Sequence, residues 1–239
     1  MDFYSTIVSA YDTIFPLNPK QLSFVHEGLG HCLNGKRILD VGCGTGSLSI
    51  ALARRSAKVR AFDYDSAMVD KAEEKRPQAL DLQFQQGDMK QVGEYFKPML
   101  FDAILCFGNT LAHLDAMEDV ESMIQQSAAR IKEGGKLMLQ VVNYDRVICD
   151  RVEALPSIEA GNCMFVRNYS HRSDGKIDFS TVLKTPAGEV KNSVSLLVLK
   201  KQPLEAILQK YFSSVHCFGG FDRSEWKPST FHLVVEAVK

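Results

Sequence analysis

The chain has 239 residues, of which 45% are hydrophobic and 24% charged, and its formal net charge is −1. A chain of this size and composition can bury one substantial core, so we expect a single α/β domain with an appendage. The near-neutral charge and the lack of a dense Lys and Arg block make nucleic acid a poor candidate partner.

The sequence carries no sign of export or membrane insertion. No run of about 18 apolar residues occurs, and Asp2 stands where a signal peptide would place basic and then apolar residues. The six cysteines are scattered and form no CxxC pair, which favours reduced thiols: Cys32, Cys43, Cys106, Cys149, Cys163 and Cys217. We therefore expect a cytoplasmic protein without membrane association.

The first 150 residues predict N-terminal helices followed by an α/β core. Residues 1–35 look helical, with interruptions at Pro16 and Pro19. Short apolar runs then alternate with helical periodicity, which predicts parallel strands with helices on both faces of a sheet. The predicted strands are 38–41, 59–62, 82–84, 103–107 and 137–142. One predicted helix, which includes Met117 and Ile131, ends at Gly134 and Gly135.

Residues 151–200 change to β-branched and aromatic stretches. Three stretches, at 163–170, 177–184 and 190–199, are separated by turn clusters and predict a three-stranded antiparallel insert. Residues 201–239 return to a helix near 204–211 and strands near 215–218 and 231–238. These two strands complete a doubly wound, mostly parallel sheet of seven strands.

A glycine-rich loop follows the first strand. The sequence ILDVGCGTG runs from a buried strand into Gly42, Gly44 and Gly46, and such a loop can pass directly beneath a flat ligand. The dinucleotide fingerprint requires glycine where Ser47 stands, which argues against NAD or FAD.

Acidic residues follow the next two strands. Asp63 lies 23 residues after Asp40, close to the interval at which a carboxylate reaches ribose hydroxyls. A helix cap is the alternative for Asp63, although Asp65 is better placed to cap. Asp88 suits an adenine amine, with Met68 and Met89 as polarisable contacts, although a Gly-Asp pair alone is more often a turn.

The series ILDVGCGTG, AFDYDSAM, QGDM and FDAILCFGN resembles the motif series of class I S-adenosylmethionine-dependent methyltransferases over about residues 37–142. The resemblance implies a Rossmann-like methyltransferase fold with S-adenosyl-L-methionine as cofactor. Tyr11 is similar to a tyrosine that closes over the cofactor in relatives, although a core aromatic is the alternative. The implied cofactor-binding residues are Tyr11, Asp40, Gly42, Cys43, Gly44, Gly46, Asp63, Tyr64, Met68, Asp88, Met89, Phe107 and Gly108.

A narrower resemblance links residues 106–114 and 143–145 to glycine and sarcosine N-methyltransferases. In that family an arginine for the substrate carboxylate precedes Asn-Tyr-Asp, whereas Val142 stands here, so glycine itself is not predicted. The candidate substrate-binding residues are Asn109, Asn143, Arg167 and Tyr169. The catalytic candidates are Asn109 and His113, with loop shaping and a structural histidine as their alternatives. Arg167, Tyr169 and His171 alternate along one strand, whose face either covers the cleft or is solvated.

The leading functional prediction is methyl transfer to a small molecule, at an amine or amino-acid-like nitrogen. Residues 108–111 lack the motif of nucleic-acid amino-methyltransferases, and no carboxylate ends the fourth strand to hold a metal, so no metal is expected. The alternatives are an O- or C-methyltransferase for a quinone-like or phenolic molecule, a silent cofactor-binding module and a nicotinamide-dependent oxidoreductase. Monomer and homodimer both stay open.

Overall fold

A computed structural model describes residues 7–239 of the chain, so residues 1–6 of the predicted helical segment 1–35 lie outside the described part. The helices of the described part are α1 Tyr11–Ile14, α2 Pro19–Gly28, α3 Ser47–Ala53, α4 Ser66–Lys75, α5 Met117–Arg130, α6 Tyr144–Cys149 and α7 Lys201–Leu208. Short 3₁₀ turns cover Met89–Gln91 and Thr110–His113. Pro19 begins α2 rather than interrupting it, because the Asn18 side chain caps the helix by accepting from the Lys20 N–H at 3.0 Å.

The strands of the same residues form two sheets. In chain order they are β1 Arg37–Val41, β2 Lys58–Asp63, β3 Leu82–Gln86, β4 Phe101–Cys106, β5 Ile131–Val142, β6 Ala154–Ala160, β7 Cys163–His171, β8 Ile177–Thr185, β9 Gly188–Leu196, β10 Ser214–Phe218 and β11 His232–Val238. The seven-stranded sheet has the order β10-β11-β5-β4-β1-β2-β3, in which β11 is antiparallel to both neighbours. The predicted seven-stranded, mostly parallel sheet is therefore confirmed.

The central strands of the large sheet are buried on both faces. Leu39 and Val41 of β1 pack into one apolar cluster with α5, while Ile38 packs into the cluster on the opposite face with α2 and α3. Parallel strands covered by helices on both sides have continuous apolar sequences, because both faces are buried. This explains why these strands were predictable from the sequence. Among residues 7–239, no helix has both the length and the apolar character needed to cross a membrane.

The predicted end of the long helix at Gly134 and Gly135 is wrong. α5 ends at Arg130, and Ile131 already has extended backbone angles and begins β5. Ile131 is fully buried, so it continues the apolar pattern of the helix although it belongs to a strand. Gly135 instead lies where the pairing of β4 and β5 shifts register, and a Cβ there would lie 3.0 Å from the carbonyl oxygen of Asp102.

The insert has four strands, not the predicted three. They form a separate antiparallel sheet in the order β6-β7-β8-β9, between α6 and α7. The strand that the pattern missed is β6, which contains Pro156 and is largely exposed. An edge strand tolerates proline and needs no regular apolar alternation, so its sequence gave little signal.

Candidate functional site

The glycine-rich loop turns sharply after β1 and packs against the neighbouring strands. Gly42, Gly44 and Gly46 all have positive φ, between 54° and 76°. The N–H groups of Gly42 and Cys43 both donate to the carbonyl of Phe62, at 2.9 and 3.1 Å. Of these glycines, Gly46 faces the core, because a Cβ on it would lie 2.5 Å from the ring of Phe84.

Two cavities open at the carboxyl ends of the central strands. The first, about 430 Å³, is lined by Asp63 and neighbours from the loops after β2 and β3, and we name it the Asp63 cavity. The second, about 500 Å³, is lined by Arg167 of the insert together with residues of β1, β5 and β11, and we name it the Arg167 cavity. Both are lined by Tyr11, Gly42, Phe107 and Gly108. The two cavities therefore meet at the glycine-rich loop.

In the Asp63 cavity, the carboxylate of Asp63 is held by backbone donors. The Gly44 N–H donates to one carboxylate oxygen at 2.7 Å, and the Asp65 N–H donates to the other at 3.0 Å. Burial raises the pKa of Asp63 and outweighs these hydrogen bonds, which lower it. Asp65, and not Asp63, caps α4, because its side chain accepts from the Ala67 N–H.

The far end of the same cavity is formed by residues after β3. Asp88 accepts from the Lys90 N–H at 2.9 Å and so caps the turn that begins at Met89. Met68, Met89 and the exposed Tyr64 also line this cavity. Every predicted ribose and adenine residue thus borders one space.

His113, a catalytic candidate, lines the Asp63 cavity and not the Arg167 cavity. Burial lowers the pKa of His113 to about 4, so its imidazole is neutral at pH 7. It shares this cavity with Asp88 and Met89, on the side predicted for the cofactor, and also with Val194 of the insert.

On the other side of the loop, Asp40 borders the Arg167 cavity. Its carboxylate accepts from the hydroxyl of Ser49, and only 4% of the residue is exposed. Burial raises the pKa of Asp40 to about 6; the Ser49 hydrogen bond opposes this rise and the nearby charge of Asp63 adds to it. Among residues 7–239, no cationic side chain donates a hydrogen bond to Asp40 or Asp63.

Tyr11 stands over the glycine-rich loop. Its hydroxyl lies 3.2 Å from the position that a Cβ on Gly44 would occupy, and burial raises its pKa. The adjacent Asp12 fixes α1 in place, because its carboxylate accepts from Lys75 Nζ at 2.6 Å and from the Thr45 hydroxyl. Tyr11 is therefore positioned by hydrogen bonds to the loop it covers.

Asn109 lines the Arg167 cavity, but both ends of its side chain are engaged. Its amide oxygen accepts from the Val142 N–H at 2.9 Å, and its amide nitrogen donates to the Tyr144 hydroxyl at 3.0 Å. Asn109 also has a positive φ of 66°, which asparagine tolerates better than most residues. The structure thus favours the alternative in which Asn109 shapes the loop.

Asn143 and Tyr169, predicted to bind substrate, line neither cavity. The fully buried Asn143 donates its amide N–H groups to the carbonyls of Pro228 and Thr230, which anchors the segment before β11. Tyr169 is 4% exposed and packs against Phe179. The solvated-face alternative is wrong for this strand, because Tyr169 is core.

Sequence reasoning missed a polar pair on adjacent antiparallel strands in the Arg167 cavity, Gln140 of β5 and His232 of β11. Gln140 Nε2 lies 3.1 Å from His232 Nδ1, and the Gly108 N–H donates to Gln140 Oε1 at 2.8 Å. The two residues are 92 positions apart, so spacing gave no signal that they meet.

The comparisons with known proteins agree with this geometry. Residues 38–135 match a family model described as a methyltransferase domain. A ubiquinone biosynthesis O-methyltransferase from Coxiella burnetii is 34% identical over 128 residues, which cover 53% of this chain and 51% of that protein. The protein of the same name from Alkalilimnicola ehrlichii is 34% identical over 131 residues, covering 53% and 49%. The chain thus matches about half the length of these curated relatives.

Solved structures match nearly the whole chain. An S-adenosylmethionine-dependent methyltransferase from Clostridium acetobutylicum has a TM-score of 0.80 at 16% identity, covering 99% of each chain. An amino pentose methyltransferase from Micromonospora echinaspora, solved with S-adenosylmethionine bound, has a TM-score of 0.71 at 18% identity, covering 97% and 95%. At this identity the matches establish the fold, insert included.

Proposed function

We propose that this chain, which carries a class I S-adenosylmethionine-dependent methyltransferase domain, transfers a methyl group to an amine nitrogen of a small molecule. The observation that carries the proposal is the meeting of two cavities at the glycine-rich loop. We assign the Asp63 cavity to the cofactor and the Arg167 cavity to the acceptor. The Arg167 cavity, at about 500 Å³, has the size of a small-molecule site.

The residues present fit S-adenosylmethionine. Asp63 keeps lone pairs beyond its two backbone hydrogen bonds, and these suit ribose hydroxyls. Gly42 and Gly108 bring backbone without side chains to the junction of the cavities. Asp40 and Asp63 are carboxylates with raised pKa values and no cationic hydrogen-bond partner in the described part of the chain. The positive charges of a cofactor bound where the two cavities meet would compensate them.

The cofactor supplies a methyl group on a positively charged sulfur, which is already activated for attack. The chain then has to align the acceptor and exclude water. Tyr11 and Phe107 form walls shared by both cavities, and the α1 contacts of Asp12 hold Tyr11 there.

The titratable groups of the Arg167 cavity do not by themselves separate nitrogen from oxygen as the acceptor atom. Among the described residues that line it, these groups are Tyr11, Asp40, Cys43, Arg167 and His232. Burial raises the pKa values of Tyr11 and Cys43, and His232 Nδ1 is occupied by a neighbouring amide. An aliphatic amine is mostly protonated at pH 7 and must release a proton before its lone pair attacks, just as a phenol must lose a proton of pKa near 10. Nitrogen is supported instead by residues 106–114 and 143–145, which resemble stretches of glycine and sarcosine N-methyltransferases.

The test begins with cofactor binding by isothermal titration. Micromolar binding of S-adenosylmethionine, weakened at least about tenfold by Asp63→Asn and unchanged by the exposed control Asp70→Asn, supports the cofactor site. A panel of amines and phenols with methyl-labelled cofactor then identifies the acceptor atom from the mass spectrum of the product. Binding without turnover on any acceptor would favour a silent module, and binding of NADH instead would favour an oxidoreductase.

Transfer to a phenolic oxygen is the second candidate function. It is favoured by the 34% identical relatives, whose names describe O-methyltransferases. Methylated phenols without methylated amines in the same panel would replace the nitrogen proposal with this one.

A further inference from the structure

The hydrogen bonds around His232 fix which nitrogen of its ring carries the proton. The Gly108 N–H donates to Gln140 Oε1 at 2.8 Å, which sets the orientation of the Gln140 amide. Its Nε2 therefore faces His232 Nδ1 at 3.1 Å, and an amide nitrogen can only donate. His232 Nδ1 must accept, so the proton of the neutral ring sits on Nε2.

The neutral form of His232 is favoured at pH 7. Burial lowers its pKa, and the positive charge of Arg146 on α6 lowers it further. Arg146 also stacks over the ring of Phe231, the neighbour of His232 in the cavity wall, at 5.1 Å. Protonation would in addition direct an Nδ1–H at the amide N–H of Gln140. In this tautomer the side chain of His232, which lines the Arg167 cavity, has a hydrogen-bond donor on Nε2 and not a base.

Arg167 brings a second donor and a charge to the same cavity. It lies on β7, where one guanidinium N–H donates to the carbonyl of Pro156 at 2.6 Å. Its Nε is buried and has no hydrogen-bond partner among the described residues. Burial lowers its pKa, although guanidinium stays protonated at any physiological pH. Because Arg167 lines the cavity, its partly desolvated guanidinium charge favours an anion there.

The lining of the cavity carries two opposite charges. Asp40 contributes a carboxylate from β1 of the large sheet, and Arg167 contributes its cation from the insert. Apolar side chains also line this cavity, among them Leu155 and Ile158 of the insert and Val142 of the sheet. An acceptor that carries an anion would be matched by the Arg167 cation in this cavity, while Asp40 is left to the positive charges of the cofactor.

We propose that Arg167 and His232 together bind a carboxylate of the methyl acceptor, which makes the acceptor an amino acid or another amine that carries a carboxylate. This inference rests on the proposed function and names its substrate class. Gln140 is a positioning residue in this arrangement, because it acts by holding the His232 tautomer.

The test compares each amino acid of a panel, aromatic ones included, with its own primary amide. In the wild type, the carboxylate form is expected to have a KM at least about tenfold lower than the amide. Arg167→Gln and His232→Phe should remove most of that preference while leaving the Kd of S-adenosylmethionine unchanged. Arg172→Gln is the matched control, since Arg172 is exposed on the same insert and is paired with Asp174.

A second readout does not depend on turnover. Long-range ¹H–¹⁵N spectra should assign the Nε2–H tautomer to His232 at pH 7. In Gln140→Leu, which lacks the amide donor to Nδ1, both tautomers should be populated. Equal KM values for acid and amide in the wild type, or an Nδ1–H tautomer, overturn this inference. Loss of cofactor binding, or no methylated product from any acceptor, instead overturns the proposed function, so the two failures are distinguishable.

Discussion

Ionisation of Asp40 should control cofactor affinity near pH 6. Asp40 is almost fully buried and its pKa is raised to about 6, from 3.8 for an exposed aspartate. This difference corresponds to about 3 kcal/mol by which the folded state disfavours the carboxylate above pH 6. Because the folded pKa lies above the unfolded one, the cost is absent in strong acid and is complete above pH 6.

Bound S-adenosylmethionine would offset this cost with its positive charges, so binding should favour ionised Asp40. If only the ionised form binds tightly, Kd at pH 5 should be about tenfold higher than at pH 7. Asp40→Asn should lose most of this pH dependence; any remainder would come from Asp63, whose pKa is also raised. The same variant without cofactor should be more stable to urea than the wild type at pH 8, with the difference shrinking toward pH 4.

Isothermal titration between pH 5 and 7.5 measures the affinity. Ser49→Ala sharpens the assay, because it removes the hydrogen bond that lowers the pKa of Asp40 and should move the transition to higher pH. A wild-type Kd that is flat across this range, or a slope that survives unchanged in Asp40→Asn, would refute the reasoning.

Two further predictions concern the glycine-rich loop and its cover. Gly46→Ala should destabilise the fold by about 2–4 kcal/mol in urea titration, because its Cβ would meet Phe84 at 2.5 Å with φ at +76°. Gly134→Ala has a similar φ of +70° with open space around it, so its cost should stay near 1 kcal/mol; equal costs would contradict the packing argument. Asp12→Asn should weaken S-adenosylmethionine binding about twofold to fivefold by loosening the contact with Lys75, an effect limited by solvent screening. Burial opposes ionisation of Asp12, but hydrogen bonds from Lys75 and others outweigh it and lower its pKa, so this contribution should persist at neutral pH and fade below about pH 4.

Much of the architecture was predictable from local pattern. The strands of the parallel sheet are buried on both faces, so their apolar runs are short and continuous, and a loop with three glycines identified the turn after β1. The pattern failed where one residue type suits two structures. Ile131 is apolar in a helix as in a strand, and β6 lies at a sheet edge where burial imposes no alternation.

The Asp63 side of the site was accessible from sequence for a similar reason. Residues that follow successive parallel strands meet at the same edge of the sheet, so Asp63 and Asp88 could be assigned to one space from their positions alone. The family resemblance added S-adenosylmethionine as the expected ligand, which geometry by itself does not provide.

The acceptor side depended on tertiary structure. His232 reaches Gln140 only because β11 is inserted antiparallel beside β5, and Arg167 reaches the same cavity only because the insert folds over the sheet. Contacts between residues so far apart in the chain arise from long-range packing. Such contacts produce no periodicity or spacing in the sequence from which they could be predicted. Sequence thus determined the fold class and the glycine-rich loop, whereas the tertiary structure decided which polar groups line the Arg167 cavity, because that depends on how separate sheets meet.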